Sequence, residues 1–411
     1  MGGASFRNRG ALLRNRRFRL LSVAALGSGL GNWLAVIALQ VDVYDRTHSG
    51  WWVGDLLIAD ILPAVFIGLL LGPLVDRLSR KGLMIGSDLC RLAVFAALPF
   101  ANSAAAIVVL AAGAGIGNGF FRPAVLAGVP NLVSEAELGT ANSLLQMIDW
   151  TTTALGPLVG GALVAASGPH LAYGVNAATF AISALLVAGI PARLLQSERS
   201  IGRGAWSDLA EGFDVVRRSS ALRCVLIVWS IVMIGNAGVN VAEVFLAKAS
   251  YRAGNFGFGL LWAGSGVGLV IGALSAPSLI NRDLGAAYAR FVSMFAVGVV
   301  CAAAAPDVWV GAAAMALGGF GNGGAVVANI TLVQRGTPDR VRGRAFTLLI
   351  SANYAVLGLS FVGAAPLTNA VGARWVFATA SAVMLVAAAI AVRFSRGIKL
   401  ELAGAKVVAS P

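Results

Sequence analysis

Charge is what this sequence has least of. Only 12% of its 411 residues are Asp, Glu, Lys or Arg, against about a quarter in soluble globular chains, and its mean hydropathy is +0.82. A soluble globular domain is excluded. The three cysteines, Cys90, Cys224 and Cys301, lie in or beside apolar segments and have neither a disulfide framework nor metal-ligand spacing. The two histidines, His48 and His170, fall in expected loops, so no metal site or histidine catalyst is visible. There is no Gly-Lys-Ser/Thr phosphate loop and no GxSxG elbow. The chain is therefore read as no enzyme, with no cofactor, no metal and no ATP. Its arginine-rich start resembles the n-region of a signal peptide. The apolar run that follows is too long for an h-region and has no A-x-A-like cleavage site, so an uncleaved first helix is expected.

What is present is long apolar runs and 51 glycines. Stretches such as 23–41, 56–75 and 376–392 approach or reach the roughly 20 residues a helix needs to cross hydrocarbon, and small residues let membrane helices approach closely. Gly, Pro and charge punctuation predicts twelve spans near 19–42, 52–75, 82–100, 103–128, 139–165, 170–191, 221–247, 257–280, 286–305, 308–333, 342–368 and 374–394. Alternate connections then hold only Arg46, Lys248, Arg252 and Arg374, while nearly all other Lys and Arg sit at the termini or in the remaining loops. That asymmetry predicts both termini in the cytoplasm. The net charge of +13 thereby becomes a topology signal, and no nucleic-acid partner is expected. The fold class is an all-α membrane protein.

The chain divides into a first six-helix half (1–191), a linker (192–220), a second half (221–395) and a cytoplasmic tail (396–411). In the linker, Trp206, Leu209, Phe213 and Val216 fall near one helical face. They fit either an amphipathic helix on the membrane surface or a solvated connector. The halves repeat. "GIGNG" at 115–119 recurs as "GFGNG" at 319–323, and the same offset of 204 pairs Gly31–Asn32 with Gly235–Asn236, Pro73 with Pro277 and Gly168 with Gly372.

Two parallel six-helix repeats are the architecture of the major facilitator fold, and three motifs carry that resemblance. "GPLVDRLSRKGLM" (72–84) resembles the superfamily signature between helices 2 and 3, with Ser79 where a glycine is usual. "GPLVGG" (156–161) resembles the antiporter motif of drug–proton exchangers, with Thr152 at another usual glycine. "PNLVSEAELGTANSL" and "QRGTPDRVRGRAFTL" resemble loops of bacterial exporters related to the enterobactin and macrolide efflux proteins. The resemblance implies that Asp76 engages the cytoplasmic end of a helix in the other half. A gate is expected of Gly72, Asp76, Arg77, Arg80 and Lys81 with Arg342 and Arg344. Asp88, Arg91 and Arg122 either extend it or pair within the first half. Gly156, Pro157, Gly160 and Gly161 are implied to seal the pathway, or form a plain packing kink.

Ionisable residues inside spans are functional candidates. Asp149, about 15 Å into helix 5, is the leading proton-coupling candidate, the alternative being a carboxylate satisfied by Asn32, Asn236 or Asn353. Asp60 and Glu243 are further candidates, Glu243 with Lys248 as a possible ion-pair partner. Asp42 is expected to be solvated. Asn32, Trp33, Gln40, Trp150, Trp229, Asn236, Asn240, Asn353 and Tyr354 are candidates to line a substrate cavity, which suits an amphipathic molecule. The expected function is proton-coupled export of such a molecule by a monomer in a bacterial cell (inner) membrane. The alternatives are a lipid-moving facilitator or a non-transporting sensor.

Overall fold

A computed structural model describes residues 12–70, 78–195, 213, 216–217, 219–337 and 339–408, with the backbone alone described for 68–70, 136, 339–344, 347 and 396–408. Its principal helices are α1 (Arg16–Thr47), α2 (Gly50–Leu70), α3 (Arg80–Ala97), α4 (Ala104–Gly128), α5 (Leu138–Ala188), α6 (Ser220–Phe245), α7 (Gly254–Ile280), α8 (Leu284–Ala304), α9 (Val308–Gly336), α10 (Asp339–Val371) and α11 (Ala373–Val408). Several begin where a polar residue precedes an apolar run. Ser79, Ser103, Ser219, Asp283 and Asp307 each accept a backbone N–H of the first turn, capping α3, α4, α6, α8 and α9.

Among the described residues eleven helices are long and apolar enough to cross a membrane. One of them, α5, has 51 residues, about 76 Å at 1.5 Å per residue, far more than a hydrocarbon core of about 30 Å requires. It is broken inside. Gly168 takes φ 75 and ψ 176, a region that is essentially glycine's alone, and Pro169 follows. Its repeat mate Gly372 has φ 80 and separates α10 from α11. Each arm of α5 thus corresponds to one helix of the second copy. Replacing Gly168 with alanine is expected to cost about 1–3 kcal/mol, seen as a lowered Tm in detergent. Gly174→Ala, with open space around its added methyl, leaves Tm unchanged.

The expected spans coincide with the described helices to within a few residues except at the C-terminus, and the end of the second span, 71–75, lies outside the described residues. At the C-terminus α11 continues as helix beyond the last expected span, to Val408.

The chain forms two compact units, one of 1–47 with 59–202 and the other of 48–58 with 203–411. In the first, α1 lies on α5, α2 on α4, and α3 on α4 and the second arm of α5. In the second, α6 lies on α10 and α11, α7 on α9, and α8 on α9 and α11. The packing repeats with the sequence. Glycines allow it: a Cβ on Gly115 would stand 2.3 Å from the Asp60 carbonyl oxygen, and one on Gly319 would stand 2.0 Å from that of Ser265.

Candidate functional site

Among the described residues, charged side chains inside the first unit gather in three clusters, each built by a different combination of helices. The most enclosed surrounds Arg91 on α3. Its position about 16 Å along the helix is deeper than the turn or two expected. Arg91 is 1% exposed and Asp88 not at all, and Arg91 Nη2 donates to Asp88 Oδ1 at 2.5 Å. Nη1 reaches Ser28 Oγ (2.9 Å) and Asn32 Oδ1 (3.3 Å) on α1, and Asn118 Oδ1 (3.1 Å) on α4. The guanidinium lies 4.6 Å from the ring centre of Phe121 and 4.3 Å from that of Phe180. Charge, hydrogen bonds and aromatic faces together meet the cost of burying a cation. Gly117 makes room for it, since a Cβ there would sit 2.7 Å from Arg91 Cγ. Asn118 turns its other amide atom the opposite way. Its Nδ2 faces Asp60 Oδ1 on α2 at 3.5 Å, the outer limit of a hydrogen bond. The network therefore runs from α1 through α3 and α4 to α2.

The second cluster joins Arg122 on α4 to Asp149 on α5. The guanidinium grips both carboxylate oxygens, the fork geometry in which an arginine–carboxylate pair is strongest. The side chains are 42% and 31% exposed. Thr152 and Thr153 hydroxyls donate to the Asp149 carbonyl at 2.9 and 2.8 Å. Asp149 was expected as an isolated carboxylate or one satisfied by asparagine. It has a cation on both oxygens instead, because the phase of α4 brings Arg122 to the same level. Arg122 accordingly belongs with Asp149, not with Asp88 and Arg91. In the second copy the pair is gone: Asp149 maps to Asn353 and Arg122 to Val326, and Asn353 accepts from Ser230 at 3.0 Å.

The third cluster corrects an expectation. Asp42 is buried, not solvated. Arg46 Nε donates to its Oδ1 at 2.6 Å and Tyr173 Oη to its Oδ2 at 2.9 Å, while Arg46 Nη1 reaches the Ala101 carbonyl at 3.1 Å.

Glu243 and Gln40 are among the buried polar side chains with atoms lacking a hydrogen-bond partner. Glu243 on α6 is 2% exposed and its Oε1 has no hydrogen-bond partner; Gln40 on α1 is 1% exposed and neither amide atom has one. The cation expected beside Glu243, Lys248, lies in a π-helical turn (Leu246–Ser250) and donates to Asn255 Oδ1 at 2.7 Å.

The basic loop before α3 is described from Leu78 onward, and Gly72, Asp76 and Arg77 lie outside the described residues. Ser79, which stands where a glycine is usual, caps α3 by accepting the Gly82 N–H at 3.2 Å. Arg80 donates to the Ala127 and Leu195 carbonyls at 2.8 and 3.3 Å, and Lys81 to Ala188 at 2.6 Å. Ala127 and Ala188 end α4 and α5, so both cations sit on free carbonyls at the negative ends of helices. Arg342 and Arg344 lie in the first turns of α10, with their side chains outside the description. Trp206 and Leu209 of the linker are likewise outside it. The loop before α5 is stapled by Ser134, whose N–H and hydroxyl both donate to Glu137 Oε2. Those donors hold the exposed Glu137 carboxyl below its ordinary range.

The "GPLVGG" segment is the seat of α1. A Cβ on Gly156 would meet Trp33 Cβ at 2.5 Å, and one on Gly160 would meet Ile37 and Leu34 at 3.3–3.4 Å. Pro157 and Gly161 are buried beside them. Thr152 fills the neighbouring space, 3.1 Å from a Cβ on Gly29. Of the cavity candidates, Trp150, Trp229, Asn236 and Asn240 are partly buried and Tyr354 is exposed. Among the described residues no group of His, Cys, Asp and Glu could hold a metal ion.

The sequence profile of a family described as transmembrane secretion effectors matches residues 9–403. The chain belongs to this family of major facilitators. It is 27% identical over 404 residues to the multidrug efflux pump Tap of Mycolicibacterium fortuitum, covering 93% of this chain and 97% of that one. It is 29% identical over 362 residues to the enterobactin exporter EntS of Salmonella typhimurium, covering 84% and 83%. Among solved structures, the nucleoside transporter NupG superposes with a TM-score of 0.71 at 14% identity, covering 94% of this chain and 99% of that one. This secretion-effector family member is a multi-pass membrane transporter, not an enzyme.

Proposed function

We propose that the protein exports an amphipathic small molecule from the bacterial cytoplasm in exchange for protons, working by alternating access as a monomer in the cell membrane. Relatives named as a multidrug pump and a siderophore exporter support export. The reading counts twelve crossings, with α5 crossing twice about Gly168, both termini in the cytoplasm, and two functional halves joined at 192–220. The reading keeps Asp76, Arg342 and Arg344 as gate residues, and the tryptophans and amides named from the sequence as substrate-binding candidates.

The observation that carries the reading is the half-open Arg122–Asp149 pair within two spans. An ion pair inside a bilayer is costly and marks a pathway by default, and one open to a third of its surface can be reached by solute. Arg122 offers a fixed cation and Asp149 its counter-charge, so a bound molecule carrying a polar group competes for one or the other.

The test is accumulation of antibiotics, siderophores and lipophilic fluorescent dyes in cells making wild type or Asp149→Asn, with and without a protonophore. Wild type is expected to lower accumulation of at least one compound, and both the protonophore and the substitution to return it to the level of cells lacking the protein. A compound whose export ignores the protonophore would refute the coupling. Full export by Asp149→Asn would remove the pair from the pathway.

A further inference from the structure

We infer that Asp60 is the acid that takes up and releases the transported proton, and that Asn118 is the positioning residue linking it to the Arg91–Asp88 pair. The inference rests on the proton-coupled reading above and names the group responsible.

A coupling acid in a bilayer must meet three conditions. Water must reach it, no fixed cation may hold it permanently charged, and its change of charge must be felt by another helix. Asp149 fails the second, because a guanidinium occupies both oxygens. Asp42 fails it too, with Arg46 and Tyr173 on its oxygens. Asp88 fails the first and second, being wholly buried and paired with Arg91. Glu243 fails the first, at 2% exposure.

Of these acids, Asp60 alone is both partly open at its surface and free of a contacting cation among the described residues. It is partly exposed, and its hydrogen bond is the long one from Asn118. No described cation lies within salt-bridge distance of it. Among the described residues, the charged groups on α3 and α4 beside it already have partners. Asp88 and Arg91 on α3 bind each other, and Arg122 on α4 is committed to Asp149. Asp55, earlier on α2, is exposed. The residues of α10 that meet the start of α2, among them Phe361, Ala365 and Asn369, carry no charge.

The count of charges points the same way. The Asp60–Asn118–Arg91–Asp88 network holds two carboxyls and one guanidinium, so one carboxyl is surplus to the cation. As the neutral acid, Asp60 adds nothing to this sum. When its carboxyl O–H gives a proton to water, the carboxylate left behind draws on Asn118 Nδ2, while Asn118 Oδ1 stays on Arg91 Nη1. Uptake reverses the step, and one proton moves each way. The link is mechanically tight because Gly115 and Gly119, on either side of Asn118, lie against α2. Added Cβ atoms would stand 2.3 Å from the Asp60 carbonyl and 3.0 Å from Ala64 Cα. In the second copy the ionisable members are replaced, Asp60, Asp88 and Arg91 mapping to Gly264, Val292 and Phe295, while Asn118 recurs as Asn322. The repeat therefore does not duplicate the site among the described residues.

The test needs no substrate. Dicyclohexylcarbodiimide reacts with protonated carboxyls in apolar surroundings, and peptide mass spectrometry locates the adduct on the purified wild-type protein. An adduct on Asp60 that forms at low pH and is lost as pH rises, with none on Asp149 or Asp88, is the expected result. An Asp60 that stays unlabelled at every pH, or labels equally at all, overturns the inference. Asn118→Ala is expected to move the pH at which labelling stops, whereas a purely structural role would lower protein yield and leave that pH in place.

Asp60→Asn then separates the two proposals in cells. With a compound exported by wild type in a protonophore-sensitive way, Asp60→Asn is expected to lose uphill export but keep downhill efflux from preloaded cells. Uphill export that survives in Asp60→Asn overturns the role of Asp60 and leaves the coupling standing. Wild-type export that ignores the protonophore removes the coupling itself, whatever Asp60 does.

Discussion

Replacing Asp88 with alanine is expected to cost about 3–5 kcal/mol, the range for removing one partner of a buried ion pair. The loss comes from what remains. Arg91, 1% exposed, keeps hydrogen bonds to Ser28, Asn32 and Asn118, but its charge is left with no anion in contact. Thermal melting of purified protein in detergent measures the loss. The double variant Asp88→Leu/Arg91→Met is the informative companion, because well-packed apolar residues often replace a buried pair at no cost. It is expected to recover most of the lost Tm while failing to export. Recovery of both would reduce the pair to scaffolding.

The second large effect concerns the crossing of α7 and α9. Cβ atoms on Gly268 and Gly272 would lie 1.9 Å and 2.0 Å from the carbonyl oxygens of Ala316 and Phe320, and those on Gly319 and Gly323 would lie 2.0 Å from Ser265 and Leu269. These obstacles are backbone atoms, which cannot turn aside as side chains do. Each methyl costs at least the roughly 1–3 kcal/mol of ordinary overpacking. Gly268→Ala/Gly323→Ala is expected to yield no monodisperse protein on size-exclusion chromatography. Gly358→Ala and Gly363→Ala, with no atom within 4 Å of the added carbon, are expected to stay within about 0.5 kcal/mol of wild type.

Hydropathy tells which segments cross a bilayer and at what depth each span lies, and for the spans as a whole that depth was readable here. The helix ends and the glycine breaks at 168 and 372 follow from apolar length, Pro and Gly placement, and the offset of 204. What depth omits is azimuth, the side of a helix on which a residue sits. Arg122 and Asp149 are 27 residues apart on neighbouring helices, and their meeting depends on the phase at which each helix starts. Tyr173 reaches Asp42 across 131 residues, a contact that no local spacing signals. Asn118 stood in plain view inside "GIGNG", but as a marker of the repeat. A lone asparagine between glycines in an apolar run was the available sign that a polar group needed partners there.

The glycines of α7 that touch α9 recur every four residues, at 264, 268 and 272, about 6 Å apart along the axis. A contact built that way behaves as a toothed rack. Sliding one helix past the other by a single residue, about 1.5 Å, would bring a side chain where only a hydrogen atom fits. Gradual creep between these two helices is therefore blocked. Whatever the second unit contributes to a transport cycle, α7 and α9 must be carried through it as one solid bar.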